Sequence, residues 1–156
     1  MHRYQPFKRR CLLGATVVVA DIDLAHARET VHTLEASQST ALAVQTDVSC
    51  AAALEALVQT VLARFNRIDI LVNNAGLGLF RSVESCSEEE WDRVLNVNLK
   101  GPFLLSKAVM PILKAQESGA IINMVSLAGK TGGIVAGAPY SVSKAGLECL
   151  TKALAR

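Results

Sequence analysis

Short runs of aliphatic residues alternate along this chain with longer segments that carry apolar residues at helical spacing. The first run, Thr16–Ala20, is apolar almost throughout, which is typical of a strand covered on both faces. The segment that follows places Leu24, Ala27, Val31 and Leu34 on one side of a helix. Alternating strands and helices predict an α/β fold, in which a parallel sheet is covered by helices on both faces.

Extending this pattern along the chain predicts four strands and four helical segments. The predicted strands are Thr16–Ala20, Thr40–Thr46, Ile68–Val72 and Ala120–Val125. The helical segments are expected from Asp23 to about Ala36, from Cys50 to about Phe65, from Ser87 to about Gln116, and from the end of a glycine-rich loop (Ser126–Pro139) through Lys144. We expect Asp23 and Ser49 to cap the first two helices and the third to bend near Gly101–Pro102.

Length and composition limit the classes of protein to consider. The 156 residues suffice for one domain, and 51% hydrophobic with 19% charged residues indicates a globular chain. The net charge of +2 gives no reason to expect nucleic acid or a membrane surface as a partner. Lys8–Arg10 and the apolar run after them resemble a secretory leader, but we favour the strand at Thr16–Ala20 because the α/β pattern continues unbroken from it.

The cysteines and histidines indicate neither a disulfide framework nor a metal site. The cysteines are widely separated and lack metal-ligand spacing, so we interpret them as reduced, partly buried thiols of a cytoplasmic protein. They are Cys11, Cys50, Cys86 and Cys149. We assign no catalytic role to His2, His26 or His32.

Polar residues follow the predicted strands where each one ends. These residues are Asp21, Asp47, Asn73 and Ser126. In open parallel sheets, ligands bind beyond the carboxyl ends of the strands. We therefore expect the functional site at this edge of the sheet.

Tyr140 and Lys144 lie four residues apart in the last predicted helix and therefore share one face of it. A phenol has an ordinary pKa of about 10, and a nearby ammonium group favours its ionised form. Such a pair is suited to general acid/base catalysis. The alternative is that both residues belong to an ordinary solvated helix face.

From about Gly14 to Arg156, the chain resembles the short-chain dehydrogenase/reductase family. The resemblance is carried by Asn73-Asn74-Ala75-Gly76, by Asn98 within Val97-Asn98-Leu99, by Ser126, and by Tyr140-x-x-x-Lys144. It implies a Rossmann-like, doubly wound parallel sheet and an oxidoreductase that interconverts an alcohol and a carbonyl on a small molecule. It also implies a homo-dimer or homo-tetramer paired through the helices of Ser87–Gln116.

The resemblance further implies a catalytic set of Asn98, Ser126, Tyr140 and Lys144. Tyr140 would exchange a proton with the substrate oxygen, and Lys144 would assist the phenol and hydrogen-bond the nicotinamide ribose. Ser126 would hold the substrate oxygen, and Asn98 would anchor a water that passes protons to Lys144. Structural alternatives for the last two are a loop hydroxyl at Ser126 and the stabilisation of a helix bend by Asn98.

For the cofactor, the resemblance places Asp21 at the adenosine ribose, where a carboxylate repels a 2′-phosphate and favours NAD over NADP. Asp21 alternatively only caps the next helix together with Asp23. The other implied cofactor-binding residues are Asp47, Val48, Asn73, Ala75, Gly76, Tyr140 and Lys144. Asn73 alternatively braces the sheet.

The chain departs from the family pattern in two respects. Tyr140 lies 14 residues after Ser126, one more than the resemblance implies. The family's first strand and its glycine-rich phosphate loop are missing, and so are its C-terminal strands. We expect residues 1–13 to form an irregular basic segment and residues 14–156 a partial Rossmann-like domain with a gap beside the strands at Thr16–Ala20 and Ile68–Val72. The alternative function is therefore a truncated, non-catalytic fragment that acts as an interaction module.

Overall fold

A computed structural model describes residues 14–133 and 136–156. Within them the strands are β1 (Val17–Asp21), β2 (Ala41–Gln45), β3 (Ile70–Asn73) and β4 (Ala120–Asn123). The α-helices are α1 (Leu24–Glu35), α2 (Ala51–Phe65), α3 (Glu88–Leu95), α4 (Gly101–Ala115), α5 (Ala128–Thr131) and α6 (Ala138–Leu154). A π-helix, Asn96–Lys100, joins α3 to α4. The expected basic segment at residues 1–13 lies outside the described residues.

The chain divides into two compact units, the first of which ends at Asp47. In it, β1 and β2 pair in parallel from Val17 opposite Ala41 to Asp21 opposite Gln45. Helix α1 packs on this pair through a small core of Val19, Ala27 and Leu34. Asp23 caps α1, since its side chain accepts hydrogen bonds from the backbone N–H groups of Ala25 and His26.

The second unit, Val48–Arg156, contains β3 and β4, which also pair in parallel. Helix α2 packs against α4, and α6 packs against α3, the π-helix and α5. The aliphatic side chains buried here are Leu54, Leu57, Val58, Val94, Leu105, Val109, Leu113 and Leu147. Gly101 allows a close approach at the start of α4, because a Cβ there would lie 2.5 Å from the carbonyl oxygen of Val48.

The structure confirms all four predicted strands and their parallel pairing, including the strand predicted at Thr16–Ala20. The described strands form two sheets of two strands each. The N-cap of α2 is Cys50 rather than the expected Ser49, because Cys50 is the last extended residue before Ala51 begins the helix. The predicted bend near Gly101–Pro102 is replaced by a π-helix just before it, and the one-turn helix α5 was not predicted.

The cysteine prediction holds only in part. Cys50, Cys86 and Cys149 are free thiols, but Cys50, at the N-cap of α2, and Cys149, on α6, are exposed rather than partly buried. Cys11 lies outside the described residues. None of the described helices is long and apolar enough to cross a membrane.

Candidate active site

Tyr140 and Lys144 line a cleft of about 420 Å³ in the second unit. The residues around it, here called the Tyr140 cleft, are Asn74, Gly76, Gly78, Leu79, Phe80, Met124, Val125, Ala136, Tyr140 and Lys144. They come from the loop after β3, from the end of β4 and from the first turns of α6. The cleft therefore lies beyond the carboxyl ends of β3 and β4, where the sequence predicts the functional site.

The start of α6 sets the relative position of Tyr140 and Lys144. Gly137 is its extended N-cap residue, and Pro139 in the first turn has the fixed φ that a helix start favours. Tyr140 and Lys144 then follow one turn apart on the same face. The Nζ of Lys144 lies 5.8 Å from the centroid of the Tyr140 ring, so the cation is held beside the phenol.

Lys144 is unusual because it is a buried lysine, with only 5% of its surface exposed. Its Nζ donates a hydrogen bond of 2.6 Å to the backbone carbonyl of Met124, just after β4. Burial lowers the pKa of Lys144 below its ordinary value, since desolvation disfavours the charged form. The ammonium group is thus both fixed in position and made more ready to release a proton.

Asn98 is completely buried in the π-helix and connects three parts of the site. Its Oδ1 accepts a hydrogen bond from the Leu77 N–H at 2.7 Å. Its Nδ2 donates to the Leu77 carbonyl at 2.9 Å and to the Oγ of Ser143 at 3.1 Å. π-helical turns occur frequently at functional sites. Here the turn carries an amide that ties the loop after β3 to α6.

Gly76 brings Asn98 and Lys144 into proximity. A Cβ built on Gly76 would lie 3.5 Å from the Oδ1 of Asn98 and 3.7 Å from the Nζ of Lys144. Both polar atoms therefore lie against the same exposed glycine backbone, which also lines the Tyr140 cleft. Of the predicted catalytic residues, the structure groups Asn98, Tyr140 and Lys144 around this point.

Ser143 is a site residue that the sequence reasoning missed. It is completely buried, accepts the hydrogen bond from Asn98, and donates one of 2.7 Å to the backbone carbonyl of Tyr140. Its position one residue before Lys144 and three after Tyr140 places it on the inner side of α6. A buried serine on the helix that carries the acid/base pair was the available signal.

Ser126 lies in the loop between β4 and α5 and does not line the Tyr140 cleft. Its half-buried Oγ accepts a hydrogen bond of 3.2 Å from the Ala128 N–H and so fixes the entry into α5. This contact corresponds to the structural alternative, a loop hydroxyl. The substrate-holding role of Ser126 stays a prediction.

Asn73 is buried, and its side chain contacts neighbouring elements of the second unit. Its Nδ2 donates to the Oδ1 of Asn123 at 2.8 Å and to the Oγ of Ser106 at 3.3 Å. Asn123 in turn donates to the Oγ1 of Thr151 at 2.9 Å. These contacts favour the bracing alternative for the Asn73 side chain. Ala75 lies exposed in the loop between Asn73 and Gly76.

Asp21 ends β1 in the first unit, and one of its carboxylate oxygens accepts a hydrogen bond of 3.0 Å from the Asp23 N–H. Asp47 and Val48 follow β2 and are half-buried. Their cofactor contacts stay predictions. Among the described residues, no group of three or more His, Cys, Asp or Glu side chains is arranged to hold a metal ion.

The sequence profile of the short chain dehydrogenase family matches residues 8–156. An uncharacterized oxidoreductase of Thermotoga maritima is 42% identical over 142 residues, which cover 91% of this chain and 55% of the relative. The chain therefore spans about half the length of the curated relatives it matches.

Two solved structures show the same fold. A metagenomic short-chain oxidoreductase in complex with NADP has a TM-score of 0.88 at 38% identity, covering 94% of this chain and 66% of the other. An NAD⁺-bound xylitol dehydrogenase has a TM-score of 0.89 at 30% identity, covering 94% and 58%. With its Rossmann-like fold and a family match over nearly its whole length, the chain belongs to the short-chain dehydrogenase family.

Proposed function

We propose that this chain carries the acid/base centre of an oxidoreductase that interconverts an alcohol and a carbonyl by hydride transfer with a nicotinamide cofactor. The observation that carries the proposal is the buried, hydrogen-bonded Lys144 beside Tyr140 on an open cleft. An ordinary solvated helix face would leave the lysine in water. The cleft is also backed by the exposed Gly76 backbone, which leaves room for a flat ring to approach.

In this proposal, Tyr140 gives a proton to the substrate oxygen during reduction and takes it back during oxidation. The positive charge of Lys144 favours the phenolate that forms when the proton leaves. When bound, the nicotinamide supplies or accepts the hydride. Lys144, Tyr140 and Gly76 would hold its ribose and ring against the loop after β3.

In this proposal, Asn98 takes part in the implied proton relay by binding a water molecule through its Oδ1. Its Nδ2 hydrogens are both engaged, but its Oδ1 accepts only the Leu77 N–H and keeps a second lone pair. Because this oxygen and the Nζ of Lys144 both lie against Gly76, a water held there would connect Lys144 to solvent. Ser126 completes the proposed catalytic set as the residue that orients the substrate oxygen.

The proposed cofactor is NAD in preference to NADP, with Asp21 at the adenosine ribose, Asp47 and Val48 near the adenine, and Asn73, Ala75 and Gly76 along its middle. The Asp21→Asn variant removes the charge but keeps an oxygen for the Asp23 N–H. We expect it to raise the relative affinity for NADP about tenfold, which corresponds to about 1.4 kcal/mol. Asp23→Asn is the matched control, and an equal change in both variants would reject the role of Asp21.

The direct test of the proposed function is calorimetric titration of the chain with NAD and NADH, followed by carbonyl-dependent oxidation of NADH. We expect binding and turnover, with kcat lowered a hundredfold or more in Tyr140→Phe. The other tyrosine of the chain offers the matched control Tyr4→Phe. Absence of both binding and turnover would instead support the non-catalytic interaction module.

A homo-dimer or homo-tetramer through the helices of Ser87–Gln116 is part of the proposal. An apolar depression of about 370 Å³ lies on α4 and the end of α6, lined by Phe103, Lys107, Met110, Pro111, Lys114 and Leu154. Covering such a surface with a second copy would bury its apolar side chains. Sedimentation should show a dimer or tetramer that Phe103→Ser weakens, whereas a folded monomer at high concentration would contradict the proposal.

A further inference from the structure

We infer that the Tyr140 cleft selects a neutral substrate with an aromatic or branched aliphatic substituent next to its carbonyl or hydroxyl carbon, and that Phe80 is a specificity-determining residue for it. The inference rests on the proposed function, because it takes Tyr140 as the group that meets the substrate oxygen. It adds the chemical class of the remainder of the substrate.

Several exposed apolar residues line the cleft, and they are here called its apolar wall. Phe80 is 71% exposed, Val125 47% and Met124 40%, and all three line the same cleft as Tyr140. The half-buried Leu79 also lines the cleft. Large apolar groups that converge on one concave site are a recurrent feature of small-molecule pockets.

The position of Phe80 is fixed by its neighbours on both sides. The carbonyl of Leu79 accepts a hydrogen bond of 2.9 Å from the Gly137 N–H at the start of α6. The Nε of Arg81 forms an ion pair of 3.1 Å with Glu90 on α3. The phenyl ring lies over Gly78, since a Cβ on that glycine would be 3.9 Å from Phe80 Cε2. A side chain on such an anchored segment can act as a defined wall of the pocket.

Polar groups that could recognise a hydrophilic substrate are scarce in the cleft. Within the part of the chain that the structure describes, Asn74 is the sole lining residue with a polar side chain besides Tyr140 and Lys144, and none of these lining residues is acidic. Lys144 is already engaged with the carbonyl of Met124. A polyol or a charged acid would lose water without gaining partners on this wall, whereas an apolar substituent would cover Phe80 and Val125.

The test compares two ketone probes, acetophenone and dihydroxyacetone, for binding to the whole chain by ligand-observed saturation-transfer NMR, with and without NADH. We expect acetophenone to bind more tightly under at least one of these conditions. Phe80→Ser should weaken acetophenone binding roughly tenfold, because one side of the apolar wall is lost. Dihydroxyacetone binding should be unaffected.

Val83→Ser is the matched control, since Val83 is an exposed apolar residue that does not line the cleft. Equal binding of the two ketones, acetophenone binding that is unchanged in Phe80→Ser, or an equal loss in Phe80→Ser and Val83→Ser would overturn the inference. Selective, Phe80-dependent ketone binding without any NADH oxidation would support the inference and reject the proposed oxidoreductase activity. The two proposals therefore fail by different outcomes.

Discussion

The Oγ of Ser143 accepts a hydrogen bond of 3.1 Å from the Nδ2 of Asn98, and both side chains are completely buried. The same hydroxyl donates to the backbone carbonyl of Tyr140. Every hydrogen of the Asn98 amide thus has a partner, and one of those partners is fixed to the residue proposed for proton transfer. Buried polar networks of this kind stabilise one arrangement as long as each member is satisfied.

Ser143→Ala should therefore lower the free energy of unfolding by about 1–3 kcal/mol, because it leaves one buried N–H of Asn98 without an acceptor. Urea unfolding followed by circular dichroism measures the change. Ser141→Ala is the matched control, since Ser141 is also buried on α6 but bonds only to the carbonyl of Gly132. A larger loss in Ser141→Ala than in Ser143→Ala would contradict the expectation.

Gly137→Ala should disturb the segment that carries Phe80. A Cβ at Gly137 would clash with the carbonyl oxygen of Leu79 and would lie 2.8 Å from that of Arg81. We expect a loss of about 1–3 kcal/mol in unfolding free energy and shifted NMR signals for residues 79–81. Gly78→Ala is the control, because no atom lies nearer than 3.9 Å to its new Cβ and its unfolding free energy should change little. Equal losses of stability in the two variants would contradict the prediction.

Lys144 should make stability depend on pH in a defined direction. Because burial lowers the pKa of Lys144, the folded chain releases this proton at lower pH than the unfolded chain, whose value is the ordinary 10.5. Between those two values the unfolded chain binds more protons, so this group's contribution to the unfolding free energy rises with pH. We therefore compare the unfolding free energies of the native chain and of Lys144→Met by urea unfolding at several pH values. The native chain should gain stability relative to the variant as pH rises through this range. A difference that does not change with pH would contradict the prediction.

Ser87→Ala should destabilise α3 by about 1 kcal/mol. The Ser87 hydroxyl accepts from the Glu90 N–H at 3.2 Å, and the Glu90 carboxylate accepts from the Ser87 N–H at 3.2 Å, which together form a capping box. Thermal unfolding measures the loss. The nearby Ser85→Ala, which lacks this cap, serves as the control and should have a smaller effect.

Much of the fold was predictable because it depends on local patterns. The aliphatic runs predicted β1 to β4 and their parallel pairing, and the capping chemistry of Asp23 predicted the start of α1. The start of a helix at Ser87 was also predicted, although its capping box was not. Ser49 was a wrong cap assignment, since capping preference alone does not decide which of two adjacent residues, Ser49 or Cys50, leaves the extended conformation. The π-helix, which buries Asn98, was missed because no local apolar periodicity distinguishes it from an α-helix.

The candidate site was predictable where residues share one element and unpredictable where they meet across the fold. The Tyr140–Lys144 pair follows from helical geometry, but the burial of Lys144 depends on the Met124 carbonyl from a different element. The link between Asn98 and Ser143 spans 45 positions in the sequence and has no local signal. Phe80 belongs to an irregular segment whose position depends on Gly137, so its place beside Tyr140 required the structure.

Asn73 and Asn123 are direct partners in the β3–β4 ladder, and their side chains are bonded to each other at 2.8 Å. If β4 slipped by one residue, Asn73 would face an isoleucine or a methionine and its buried amide would lose its acceptor. The hydrogen bond between Asn73 and Asn123 thus favours one register of the two strands over the others. That register fixes the position of Met124 just after β4, and therefore the position of the carbonyl that accepts the hydrogen bond from Lys144. A change in the alignment of these two strands would therefore displace Lys144.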